Sequence, residues 1–209
     1  MGPIAIATYS IPQQLTGKLS ILSKGLSAYL LTNLSKKKHD NIVFNYALKI
    51  FLTIIPILIF LLFPIYEFFL NFWLEDQYSN KILLLTKIFS LCAIFSCASH
   101  ILITKFEASK TLNRNLKVEF FLMPFFLFSL YFYSSNKFSL IEISFLILLK
   151  EVILLFLRLN LLRKIIKNLF THYIYILFFL LTLYLSINFE NLFYISLLGL
   201  IFSIFLKND

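Results

Sequence analysis

Glycine is scarce in this chain: there are four among 209 residues, alongside two cysteines and a single tryptophan. The glycines are isolated, so no phosphate-cradling loop can be assembled from them. Cys92 and Cys97 stand five apart in one hydrophobic segment, with no cluster of histidines or acids beside them. That spacing excludes a disulfide framework and a metal site, and no cofactor is expected. Acids are few as well: ten Asp and Glu against nineteen Lys and Arg, for a formal net charge of +9. No Ser/His/Asp, Cys/His or paired-carboxylate arrangement is present, so no catalytic centre is expected. His39 reads as a solvated loop residue, and His100 and His172 as polar residues at membrane interfaces. The first residues lack both a basic leader region and a small-residue cleavage site, which excludes a signal peptide. No internal repeat is visible.

Apolar residues are what the chain has in excess. They make up 60% of the sequence, and the mean hydropathy is +0.87. A soluble globular domain does not have this composition. Several runs exceed the ~18 apolar residues that mark a transmembrane helix. The richness in Leu, Ile, Phe, Asn and Lys is what an AT-rich coding sequence produces, so the phenylalanines need not form a binding surface. Most cations lie in loops between hydrophobic runs, which fits membrane topology and not nucleic-acid binding.

The opening stretch, residues 3–33, is long but not uniformly apolar. At 100° per residue Gln13, Thr16, Gly17, Ser20, Lys24 and Ser27 recur once a turn as a polar stripe. Ile11, Leu15, Leu19, Leu22, Leu26 and Tyr29 fill the opposite side, with Gln14, Lys18 and Gly25 on a flank. Lys18 is at the midpoint. An ammonium there costs roughly 2.5–3.5 kcal/mol on insertion scales, so it is expected to face a wet interior. A helix lying flat in the interface is the competing reading. The small, mostly uncharged polar face and a length of about 31 residues at ~1.5 Å rise both favour a crossing. Pro12 is expected to bend the helix near Ser10 and Ile11.

Six further segments follow, at residues 46–70, 81–103, 116–133, 138–159, 171–187 and 192–206. Such long, unalternating runs satisfy their backbone in hydrocarbon only as helices. The expected fold is an all-α integral membrane protein, a single bundle of about seven transmembrane helices over residues 1–209. The loops alternate in charge. Lys36, Lys37 and Lys38 fill the first, Lys105, Lys110, Arg114 and Lys117 the third, and Arg158, Arg163, Lys164 and Lys167 the fifth. The intervening loops hold acids or at most one cation. The positive-inside rule therefore puts the odd loops and the C-terminus in the cytoplasm and the N-terminus outside. An external N-terminus with no leader creates the expectation that upstream spans belong to the same machine.

Ionisable residues within spans usually face a bundle interior. Lys87 in the third span is weighed equally between snorkelling to the outer surface and lining a cavity. In the fifth span Glu142, Lys150, Glu151 and Arg158 allow pairing along the helix, with Glu151 and Arg158 seven apart on one face. A structural ion pair is the expected role. Pro56, Pro64 and Pro124 are candidate hinges.

The order of these features resembles a known family. The opening Ala5-Ile6-Ala7-Thr8-Tyr9-Ser10-Ile11-Pro12-Gln13-Gln14, continuing through Lys18-Leu19 to Leu34-Ser35, is similar to the eighth helix of bacterial polysaccharide flippases. These are the O-antigen and capsule repeat-unit translocases of the multidrug/oligosaccharidyl-lipid/polysaccharide exporter superfamily. Phe72-Trp73-Leu74 before an acidic external loop resembles that family's pattern after its ninth helix. The seven segments would match helices eight to fourteen, with the N-terminal bundle absent. The proline usual after the first of these helices is replaced by Thr32-Asn33-Leu34.

The resemblance implies a transporter, not an enzyme, moving a polyprenyl-diphosphate-linked oligosaccharide across the bacterial cytoplasmic membrane during surface polysaccharide (lipopolysaccharide) biosynthesis. Its partners would be membrane lipid and a missing N-terminal half. Lys18 and Lys24, with Gln13, Gln14 and Tyr9, would line the cavity; Lys87, Lys150 and Glu151 are further intramembrane charges. Two other readings stay open. One is a drug or metabolite antiporter of the same superfamily, which generally wants an intramembrane acid; the first three spans offer only Glu67, near an edge. The other is a membrane polysaccharide polymerase or glycosyltransferase, which would need a larger external loop.

Overall fold

The structure is a computed structural model that describes residues 3–36, 41–75, 78–135 and 139–162. Among these the chain forms six α-helices and no strand: α1 (Pro3–Gly17), α2 (Leu19–Lys36), α3 (Asn41–Leu74), α4 (Asn80–Ala108), α5 (Leu112–Ser135) and α6 (Leu140–Leu161). The helices coincide with the first five hydrophobic segments to within a few residues. The expected sixth and seventh segments, 171–187 and 192–206, lie outside the described residues. By length and composition two of the helices, α4 and α5, can cross a membrane.

The opening stretch departs from expectation. The helix runs unbroken past Ser10 and Ile11 with Pro12 inside it, and the interruption comes instead at Lys18. A tight turn marks the place, Ile21 N donating to Lys18 O at 3.1 Å. Around it, hydroxyls turn back onto their own helix: Thr16 Oγ1 donates to Pro12 O at 2.8 Å and Ser20 Oγ to Gly17 O at 2.7 Å. Such back-bonding competes with the helical ladder and loosens it.

Helix α4 is the centre. It packs against each of α1, α2, α3, α5 and α6. Ile88, Leu91, Ala98, Ile101 and Leu102 are completely buried along it. Ser79 caps its start, accepting from Ile82 N. At its end Thr111 N donates to Phe106 O and Lys110 N to Glu107 O, with Lys110 at φ 56°. That is a Schellman closure, with lysine where glycine is usual. Helix α6 opens with a capping box between Ser139 and Glu142, so Glu142 serves to cap the helix. In the loop before α4, burial and the nearby Glu67 charge raise the Tyr78 phenol above its ordinary pKa.

Candidate functional site

Two hollows lie against the central helix and meet at one ion pair. The first, about 420 Å³, is walled by α1, α4, α5 and α6. Helix α1 contributes Tyr9, Gln13 and Thr16 to it, α4 Phe89 and Ser96, α5 Phe126, and α6 Lys150 and Glu151. The second, about 280 Å³, lies between α4, α5 and α6 and shares Ser96, Lys150 and Glu151 with the first. Its other polar residues are Ser99, His100, Glu119 and Arg158.

The shared pair is closed, with Lys150 Nζ 3.0 Å from Glu151 Oε1. The same ammonium rests over the Phe126 ring, 5.0 Å from its centroid, a contact that holds the cation against α5. Deeper in the second hollow Arg158 is 4% exposed. Its Nε donates to Asn115 Oδ1 at 2.8 Å, and a terminal nitrogen pairs with Glu119 Oε1. Asn115 Nδ2 also donates to Glu119 Oε1, at 3.2 Å. A buried guanidinium is tolerated when its charge is matched and its N–H groups are bonded; this triad matches the charge and bonds two of the three nitrogens.

The expected pairing along α6 holds for Lys150 and Glu151 and is corrected for Glu151 and Arg158. Arg158 faces α5 and bonds there, and Glu151 is taken by its neighbour Lys150. Sequence reasoning offered Arg158 only Glu151, because the partner it takes stands on another helix. Asn115 and Glu119 lie four apart, hence on one face of α5, a spacing that carried the only available signal. His100, read as an interface residue, lines the second hollow.

The remaining candidates fall in different places. Tyr9 sits edge-on to Phe89, with ring centroids 5.1 Å apart, and with Gln13 it lines the first hollow. Gln14, Lys18, Lys24 and Lys87 line neither. Gln14, Lys18 and Lys24 are exposed, and Lys87 is half-buried. Lys24 is still close enough to act electrostatically on His100. Among the described residues no group of three or more His, Cys, Asp or Glu is arranged to hold a metal. Chemically, the paired hollows offer hydrogen bonding and matched charge inside an apolar bundle, with no activated nucleophile. Set against protein-family profiles, curated proteins and solved structures, the chain matches none, so its likeness to the polysaccharide flippases rests on the sequence features alone.

Proposed function

We propose that this chain is the C-terminal half of a polysaccharide flippase, carrying lipid-linked oligosaccharide repeat units across the bacterial cytoplasmic membrane by alternating access. The observation that supports it most is a hollow between α1, α4, α5 and α6 that sets Tyr9, Gln13, Lys150 and Glu151 into an otherwise largely apolar lining. An amphiphile with a saccharide head and a long hydrocarbon tail needs both environments at once. Its head requires hydrogen-bond partners, while its tail stays in lipid at no cost. Tyr9, Gln13, Lys150 and Glu151 supply the polar groups, and Lys24 adds positive potential nearby. No bond is made or broken; the work is to replace the head group's water while it crosses.

Deleting the coding sequence in the source cell tests this reading. Loss of surface polysaccharide with build-up of lipid-linked repeat units in the membrane is expected, restored by the chain supplied in trans. Undiminished surface polysaccharide sinks the proposal. The antiporter reading gains from one observation: Glu119 and Glu151 put carboxylates in the second hollow, where the first three spans had offered only Glu67. Solute efflux dependent on an ion gradient, with polysaccharide unaffected by the deletion, would select it.

A further inference from the structure

The charges lining the second hollow cancel. Lys150 is matched by Glu151 and Arg158 by Glu119, and no other Lys, Arg, Asp or Glu lines it. A diphosphate entering here would meet two carboxylates, and it would have to pull a cation away from its partner to be bound. Arg158 itself is buried, and taking a buried cation from its partner is unfavourable. A zwitterion faces the same obstacle twice. An uncharged polyhydroxyl faces it not at all, because it can bond to whatever the pairs leave over.

What they leave over is considerable. A guanidinium has five N–H donors; Arg158 directs its Nε to Asn115 and one terminal nitrogen to Glu119. Each carboxylate has about four acceptor positions. Ser99 is 2% exposed, and its Oγ has no hydrogen-bond partner among the described residues. A buried hydroxyl without a partner costs about 1–3 kcal/mol, which a ligand hydroxyl would relieve. Beside these groups Leu122, Met123 and Leu154 line the same hollow, apolar surface of the kind that the C–H face of a sugar ring packs on. The volume of about 280 Å³ equals that of roughly nine waters in bulk.

We infer that the hollow between α4, α5 and α6 binds an uncharged sugar ring and not a diphosphate. The source of that sugar rests on the flippase reading; the site itself does not.

The test is calorimetric titration of the full chain in lipid nanodiscs, at fixed ionic strength. The probes are neutral trisaccharides built from glucose, galactose or N-acetylglucosamine, and separately inorganic pyrophosphate. Saturable binding of at least one trisaccharide, uncompeted by pyrophosphate, is expected. Ser99→Ala, a small change that leaves the packing intact, should weaken it about two- to tenfold, the worth of one hydrogen bond. Glu151→Gln frees Lys150 and should raise pyrophosphate binding. Pyrophosphate saturating the unaltered protein, no response to any trisaccharide, or an unchanged affinity in Ser99→Ala overturns the inference. Saccharide binding alongside normal export in the deletion strain would keep the site and remove the flippase. Lost export without saccharide binding would do the reverse.

Discussion

Helices α4 and α5 are the two described helices apolar and long enough to cross a membrane, yet they lead opposite lives. Of the most apolar 18-residue window, 72% is buried inside the protein in α4 and 6% in α5. Helix α4 touches every other described helix. Helix α5 holds Phe120 at 85% exposure, with Phe121, Phe125, Phe128 and Phe132 also exposed. Its principal polar attachment is the Asn115–Glu119–Arg158 triad near one end. Hydropathy does not distinguish these helices because hydrocarbon and a protein core are both apolar solvents. Side-chain size and position do: α4 carries the small residues Ser90, Ala98 and Ser99 in buried positions, as packed helices in membrane bundles do.

The contrast can be broken in four ways. The largest effect is expected from Leu102→Ala in α4, which empties a fully buried site and should cost about 2–5 kcal/mol. Phe128→Ala in α5 should stay within about 0.5 kcal/mol. Denaturant unfolding in detergent compares the two, and equal losses would dissolve the distinction. Next comes Phe125→Lys, which should raise the apparent insertion free energy of α5 by about 3 kcal/mol if that face meets lipid. A glycosylation-based insertion assay reads it, and no change would mean the face meets water or protein.

A smaller effect belongs to the tether. Glu119→Ala leaves the buried Arg158 with Asn115 and should destabilise by about 2 kcal/mol. Adding Arg158→Leu should recover most of that loss, because the unmatched charge is gone. Failure of the double variant to recover, in the same unfolding measurement, would mean that the triad does not act as a unit. The smallest is Lys110→Gly at the end of α4. Its left-handed φ of 56° suits glycine, so a gain of about 0.5–1 kcal/mol is expected. A lower unfolding midpoint would show that the lysine side chain has a contact worth more than the strain.

Part of the candidate site was legible before any coordinates. Gln13, Lys150 and Glu151 all line the first hollow, found from a helical stripe and from charges that are costly in lipid; Tyr9, which the flippase resemblance implied, lines it too. Lys18 illustrates the opposite case. At 100° per residue it falls on a regular helix, but the chain turns there and the lysine lies outside both hollows. Helical-wheel reasoning assumes an unbroken wheel, and nothing local announced the break. Within the polar stripe Thr16 and Ser20 do line the first hollow, but they donate to carbonyls of their own stretch, so their hydroxyl protons are already in use.

The sequence by itself determined that the described chain is helical and roughly where each helix begins and ends. Long apolar runs leave the backbone no other way to satisfy its hydrogen bonds, and a Ser-x-x-Glu such as Ser139–Glu142 marks a start. Only the tertiary structure decided that α4 lies inside, that Arg158 answers to Glu119, and that Lys150 and Glu151 join two hollows. Those outcomes depend on which faces of different helices meet, and pairing between helices leaves no periodic trace along any one of them.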